Sequence, residues 1–297
     1  MRKIFYFFIF SSLTTLYSHF SFADEQKKIK VVATFSILGD IVQNIGGDRI
    51  ELRVLIGPNS DAHVYQPTPA DVQRVASAQV LFSNGLGFEG WMDRLIETSH
   101  FSGKWVVVTK GITPITESNF GVDPHAWQNI KNVRLYAQNV AQTLSAVDNV
   151  NQAIYNSNLK HYLEKLDATN AEIIALIANL PPNQRKVITS HDAFKYYEAA
   201  YGINFRSPQG LSTNAEASAI NVAQLIRQIR NEKIPAIFIE NITDTRLIEQ
   251  IKNETGTKIG GTLYSDALSE KNQPADTYLH LMQHNTNTLV DALSRTQ

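Results

Sequence analysis

Four short segments of this 297-residue chain concentrate histidine, aspartate and turn residues: Gly57-Pro58-Asn59-Ser60-Asp61-Ala62-His63, Asp123-Pro124-His125-Ala126-Trp127, Ser190-His191-Asp192 and Tyr264-Ser265-Asp266. Imidazole and carboxylate are the donors that first-row divalent ions take where thiolate is absent, and the chain contains no cysteine. Taken singly, each segment has an ordinary structural use. His63 reads as a surface-loop histidine. Asp123 and Pro124 suit the cap and first residue of a helix, although the X-Pro turn also fixes the backbone before His125 and sets Trp127 where it would shield a site. Asp266 reads equally as a helix cap. His191 competes with a reading as a catalytic base paired with Asp192, but sequence neighbours rarely face one another usefully, and no G-x-S-x-G turn accompanies them. Glu240 is a rival fourth ligand, or a partner for an imidazole N–H.

The other histidines carry weaker signals. His280 and His284 stand four apart on a predicted helix, without the glutamate of an H-E-x-x-H site, and fit a solvated face. His100 and His161 are isolated, and His19 falls in a segment expected to be removed.

The candidates gain weight from the elements that precede them. Short β-branched runs at 31–35, 52–56, 80–83 and 105–109 alternate with helical patterns at 37–45, 70–78 and 91–97, which predicts one α/β lobe. The alternation restarts after Pro181-Pro182: strands at 186–189, 203–205, 236–240 and 258–263, helices at 193–201, 215–230, 245–254 and 275–294. Between the halves, 151–180 contains no Gly or Pro and places apolar residues at near-helical spacing. One helix of roughly 30 residues, about 45 Å long, is predicted there. The fold class is therefore α/β, with two Rossmann-like lobes, each a roughly four-stranded, mainly parallel sheet flanked by helices, joined by one long connecting helix. Residues 24–150 form the first lobe, 151–180 the connector and 181–297 the second lobe. All four histidine and aspartate segments follow strands, where open α/β sheets place ligand sites.

The chain opens with Arg2-Lys3, an apolar run and small residues at Ser21 and Ala23, the pattern of a secretory signal peptide over 1–23. With no cysteine for lipid attachment, the expected location is the periplasm, free of an anchor. Loss of the leader removes two of the 27 basic and none of the 28 acidic residues, leaving a formal charge of −3. That balance offers no basic footprint for nucleic acid.

The ordered motifs resemble a known family, the zinc- and manganese-binding solute-binding proteins of bacterial ABC importers (cluster A-I, or cluster 9). The likeness covers essentially the whole mature chain. It is carried by Val32-Ala33-Thr34-Phe35-Ser36, by Asp61-Ala62-His63-Val64-Tyr65-Gln66-Pro67-Thr68-Pro69, and by Asn84-Gly85-Leu86-Gly87-Phe88-Glu89 followed by Trp91. It continues in Asp123-Pro124-His125-Ala126-Trp127, Ser190-His191-Asp192-Ala193-Phe194-Lys195-Tyr196-Tyr197 and Leu263-Tyr264-Ser265-Asp266-Ala267-Leu268. The resemblance implies one metal ligand from each of four segments, His63, His125, His191 and Asp266, two per lobe, and it ranks Asp266 above Glu240. It implies a single Mn²⁺ or Zn²⁺ ion held in the cleft as cargo, no catalytic residue and no resident cofactor. It also implies a monomer that hands the ion to a membrane permease with a cytoplasmic ATPase. Histidine at the third position is the zinc-associated choice, whereas the short, histidine-free stretch 111–121 lacks the loop of zinc-specific members. Because imidazole must be neutral to bind, affinity is expected to fall as pH drops through the histidine range, near 6.5.

Two other classes compete. A secreted zinc-dependent hydrolase would use the histidines as ligands, but needs an open coordination position and a general base. Glu240 or Asp192 would supply the base, while Asp266 as a fourth ligand would close the site. An adhesin or metal-scavenging surface protein is the third reading.

Overall fold

The computed structural model describes residues 28–294 apart from 118–120 and 215–216; the expected signal peptide lies outside the described residues. The first half runs β1 (Ile29–Phe35), α1 (Ser36–Gly46), β2 (Ile50–Ile56), α2 (Pro69–Ala76), β3 (Val80–Ser83), α3 (Met92–Ser99) and β4 (Lys104–Val107). A short hairpin follows, β5 (Thr116–Glu117) with β6 (Gly121–Val122), then α4 (Ile130–Val147) and α5 (Gln152–Ala178). The second half runs β7 (Lys186–Ile188), α6 (Lys195–Tyr201), β8 (Asn204–Arg206), α7 (Ala219–Glu232), β9 (Ala236–Glu240), α8 (Arg246–Thr255), β10 (Lys258–Leu263) and α9 (Tyr278–Ser294).

Each half builds one four-stranded parallel sheet, ordered β2-β1-β3-β4 and β10-β9-β7-β8. In chain order within each half both read second, first, third, fourth, so the halves share a topology. β1 is buried at every position but Lys30, the near-continuous apolar run of a central strand covered on both faces. α1 buries Ile37, Leu38, Ile41, Val42 and Ile45, one stripe of an amphipathic helix. In β10 the register shifts between Ile259 and Gly261. Gly261 sits at φ 143, and a Cβ there would come within 2.7 Å of Thr288 in α9, so only glycine lets that helix lie so close.

The connector is α5, 27 residues long, burying Tyr155, Tyr162, Leu166, Thr169, Ile173 and Ile177 along one face. It packs on α1 and α4 from the first half and on α6 and α9 from the second. The largest apolar cluster continues through it from Val31 and Phe82 to Tyr278 and Leu289. A smaller one under α7 and α8 contains Ile188, Ile226, Ile237 and Ile248. Two elements were not anticipated from sequence, the β5–β6 hairpin and the 18-residue α4, which buries Val133, Tyr136, Ala137, Val140, Ala141 and Leu144. The carboxyl ends of β2, β7 and β10 each lead into one of the histidine or aspartate segments, and the fourth segment follows β6 directly.

Candidate metal centre

His63 lies in the unpaired stretch between β2 and α2, where its backbone N–H donates to Asp61 Oδ1 at 2.9 Å and Trp91 Nε1 donates to the Ala62 carbonyl at 3.1 Å. His125 opens a single 3-10 turn, Ala126–Gln128. Asp123 Oδ1 accepts from the His125 backbone N–H at 2.8 Å and lies 2.7 Å from its Nδ1. Asp123 is thus not the cap read from sequence: the turn is capped by His125 without a side-chain bond, and the Asp123 carboxylate serves the His125 backbone and ring. His191 follows β7, and Glu240 at the end of β9 grips it: Oε1 accepts from the backbone N–H groups of Ser190 and His191, at 2.7 and 2.9 Å. Glu240 Oε2 lies 2.7 Å from His191 Nδ1, in a close charge contact rather than a well-aligned hydrogen bond. Asp266 follows β10, and the carbonyl just before it, on Ser265, accepts from Trp127 Nε1 at 2.8 Å and Gln128 Nε2 at 2.9 Å.

These loops bring His63, His125, His191 and Asp266 together, with one donor atom from each lying within 4.8 Å of all the others. Asp266 Oδ2 is 3.2 Å from His63 Nε2 and 3.3 Å from His191 Nε2, and Oδ1 is 3.6 Å from His125 Nε2. The Nε2 atoms of His63 and His125 are 3.3 Å apart. Four donors each about 2.0–2.1 Å from a tetrahedral ion would lie roughly 3.3–3.4 Å from one another, and these four separations, 3.2–3.6 Å, fall close to that. Both Asp266 oxygens and His191 Nε2 are buried without a hydrogen-bond partner. Orphaned buried polar atoms are costly unless something else meets them, and a cation meets all of them at once.

The surroundings are dry and aromatic. Trp127 is fully buried, with its ring centroid 5.3 Å from that of His125, and Phe88 meets His63 edge-on at 4.9 Å. Burial opposes charge on the His125 imidazole, but the Asp266 and Asp123 carboxylates outweigh it and hold its pKa up at about 9. At His191, burial likewise acts downwards, and Glu240 with Asp266 raises the pKa well above the ordinary value. Burial acts upwards on Asp266, yet His125 and His191 push its pKa well below the usual carboxylate range. At His125 and His191 an arriving cation therefore competes with protons held above the ordinary histidine range expected from sequence.

The rival residues stand elsewhere. Glu240 is turned to the far nitrogen of His191, and the backbone N–H of Asp192 donates to the Gly210 carbonyl while its carboxylate faces Lys195 at 3.8 Å. His280 contacts Asp276 on an exposed face, and His284 Nε2 lies 3.0 Å from the Thr262 carbonyl, so these two share no site. His100 caps α3 and His161 is exposed. The interlobe role of Gln128 was missed from sequence, as was the buried Thr34–Glu89–Asn84 network: Glu89 Oε1 accepts from Thr34 Oγ1 at 2.6 Å and from the Asn84 N–H at 2.7 Å. Asn84 Nδ2 in turn holds the Pro124 carbonyl at 2.9 Å, one residue before His125.

Known proteins match this arrangement over most of the chain. A family model described as "Zinc-uptake complex component A periplasmic" matches residues 31–292. A manganese ABC transporter substrate-binding lipoprotein, PsaA of Streptococcus anginosus, is 32% identical over 283 residues, covering 92% of this chain and 92% of the relative. The manganese-binding lipoprotein MntA of Halalkalibacterium halodurans is 32% identical over 274 residues, 92% of this chain and 91% of its own. Among solved structures, the periplasmic zinc-binding protein TroA from Treponema pallidum superposes with a TM-score of 0.87 at 31% identity, covering 91% of this chain and 100% of that one.

The relatives correct one expectation. A protein free in the periplasm does not accord with names that are those of lipoproteins, which a lipid holds at a membrane. The absence of cysteine from the sequence was the basis of that expectation. It bears on one chemistry of attachment, which lies outside the folded lobes, and so does not fix location. Fold, site geometry and a match spanning residues 31–292 agree, and the chain belongs to the zinc-uptake component A family, the substrate-binding proteins of metal ABC transporters.

Proposed function

We propose that this protein captures one divalent transition-metal ion, Mn²⁺ or Zn²⁺, between His63, His125, His191 and Asp266, and delivers it to an ABC-type importer made of a membrane permease and its ATPase. The observation that carries this reading is the cluster of four donors within 4.8 Å of one another, with the Asp266 oxygens 3.2–3.6 Å from the three imidazole nitrogens and otherwise unpartnered. Three imidazoles and a carboxylate favour Zn²⁺ on general affinity order. The second Asp266 oxygen offers a fifth donor, which suits Mn²⁺ as well. The lobes, 24–150 and 181–297, act as jaws on the connector 151–180, behind a signal peptide at 1–23, and the protein works as a monomer.

The protein catalyses nothing. A hydrolytic zinc site keeps a coordination position open for water and a base beside it, whereas here four side chains converge, the Glu240 carboxylate is taken up by Ser190 and His191, and that of Asp192 faces Lys195. The relatives give the hydrolase reading no support.

Metal content and binding stoichiometry test the proposal. The purified protein is expected to bind one ion per chain, and His63→Ala and Asp266→Ala each to lose it. Full occupancy retained by both variants would overturn the ligand assignment, and ester or phosphate ester turnover abolished by His191→Ala would restore the hydrolase.

A further inference from the structure

The four donors are not equally enclosed. The side chains of His125, His191 and Asp266 are fully buried, while His63 retains 4% of its side-chain exposure. Asp123 and Glu240 back the Nδ1 atoms of His125 and His191. Among the described residues no carboxylate backs Nδ1 of His63. Its position is instead set through the main chain, by the bond from its N–H to Asp61 Oδ1.

The other oxygen of Asp61 reaches across the cleft. Asp61 Oδ2 accepts from the Thr213 hydroxyl at 2.6 Å, a contact between residues 152 apart that joins the loop of the first lobe to the second. Thr213 belongs to the stretch 207–214, which is tied to the turn after His191 by the bond from the Asp192 N–H to the Gly210 carbonyl, 3.1 Å. Immediately outside lies a cavity of about 560 Å³ lined by Asp61, Val64, Ser190, Thr213 and Thr243, among others. Other ties between the halves lie on this same loop, where the Asn59 N–H donates to the Leu268 carbonyl at 2.9 Å and Asn241 Nδ2 donates to Asn59 Oδ1 at 3.0 Å, and elsewhere around the site. Trp127 and Gln128 hold the Ser265 carbonyl, Tyr278 donates to the Trp127 carbonyl at 2.7 Å, and Leu268 N–H donates to Ser36 Oγ at 3.0 Å. The Asp61–Thr213 bond thus joins the residue that fixes the His63 main chain to the second lobe, and both of its residues line the cavity.

We propose that Asp61 and Thr213 form a latch over the mouth of the metal site, and that its opening, rather than separation of the lobes, sets the rate at which the ion enters and leaves. The inference rests on the reading that His63, His125, His191 and Asp266 hold the ion. Asp61 is a positioning residue: one oxygen fixes the His63 loop and the other closes the exit. When the Thr213 hydroxyl lets go, the 207–214 stretch parts from the loop of His63, the one of the three imidazoles whose Nδ1 no carboxylate backs among the described residues. A charge-assisted hydrogen bond broken on the way to the open state accounts for about a tenfold change in rate or more.

The test is stopped-flow exchange of Mn²⁺ alone, with Trp127 beside His125 reporting through tryptophan fluorescence: mixing metal-free protein with Mn²⁺ for entry, and loaded protein with excess EDTA for release. Thr213→Val, which removes the hydroxyl from a half-exposed loop position and keeps the shape, is expected to speed release by about tenfold and to speed entry as well. Thr213→Ser, which keeps the hydroxyl, is expected to restore slow exchange. A distorted site would give faster release with unchanged or slower entry, and that result overturns the latch, as does exchange in Thr213→Val at the parent rate. Failure of the parent protein to bind Mn²⁺ would instead strike the ligand assignment, so the two failures are distinguishable.

Discussion

Replacing Glu240 with glutamine changes one atom, and the structure sets its consequence apart from that of the analogous change at Asp123. Glu240 Oε1 accepts from two backbone N–H groups, those of Ser190 and His191, while Oε2 faces His191 Nδ1. A glutamine that keeps both backbone bonds must turn its NH₂ towards Nδ1. The imidazole then protonates on Nε2, the atom that faces His63 and Asp266, and places a hydrogen where the ion must sit. The flipped amide instead sets NH₂ against two N–H donors. At Asp123 both His125 contacts fall on Oδ1, and Oδ2 is buried without a partner. Asparagine keeps its oxygen in the Oδ1 position and its NH₂ in the vacant one, so the tautomer survives and only the charge is lost. Partners of ligating histidines typically carry about 10–100-fold in metal affinity. Glu240→Gln therefore belongs at the upper end, about 100-fold or about 2.8 kcal/mol, and Asp123→Asn near about tenfold. Competition titrations of Mn²⁺ and Zn²⁺ against a chelator of known affinity, with thermal melts to verify folding, measure both. Equal losses, or a larger loss at Asp123, would refute the tautomer argument.

Two further outcomes follow from the charges. With the His125 pKa raised to about 9 and that of His191 raised well above the ordinary value, both imidazoles carry protons at pH 7 in the absence of the ion. Loading is expected to release about two protons and to weaken by up to about a hundredfold for each pH unit lowered; calorimetry in buffers of different ionisation enthalpy counts them, and fewer than one would contradict the site electrostatics. Asp40 in α1 accepts from the Tyr278 N–H that opens α9, at 3.0 Å, and burial, partly offset by that N–H, raises its pKa from 3.8 to about 6. A carboxyl raised by folding favours the native state while protonated, so that contribution is full below pH 3.8 and lost as pH rises through about 6. Asp40→Asn is accordingly expected to raise stability at pH 8 by up to about 3 kcal/mol and to match the parent near pH 4, as read from denaturant melts; destabilisation at pH 8 would show the charged form to be the favoured one.

Much of the fold was written in local pattern. β3 and β9 begin and end where their apolar runs do, and α5 follows from a stretch without Gly or Pro stopped by Pro181-Pro182, fraying a turn earlier at Ala178. α4 was equally periodic, with its cap at Asn129, whose side chain accepts from the Lys131 N–H at 2.9 Å. The β5–β6 hairpin pairs only Thr116 with Val122 and Glu117 with Gly121, too few residues for an alternating signal to accumulate.

The site was legible to a different depth. Strand ends announce where donors gather, but not which way each carboxylate turns, since that depends on a neighbour strand tens of residues away. Glu240 ends a strand of the second sheet and Asp266 follows another by three residues, and nothing in their local sequence separates them. Position within the sheet does. Glu240 ends β9, beside β7, so its carboxylate falls under the backbone of the turn after β7 and is used up by Ser190, His191 and Nδ1. Asp266 lies past the end of the edge strand β10, where the chain crosses towards the first lobe and its Ser265 carbonyl is held by Trp127 and Gln128. Those two bonds leave the Asp266 oxygens facing His63, His125 and His191 with no hydrogen-bond partner. In the proposed site the fourth ligand is thus set by an interlobe contact, a relation that the local chemistry of either carboxylate does not carry.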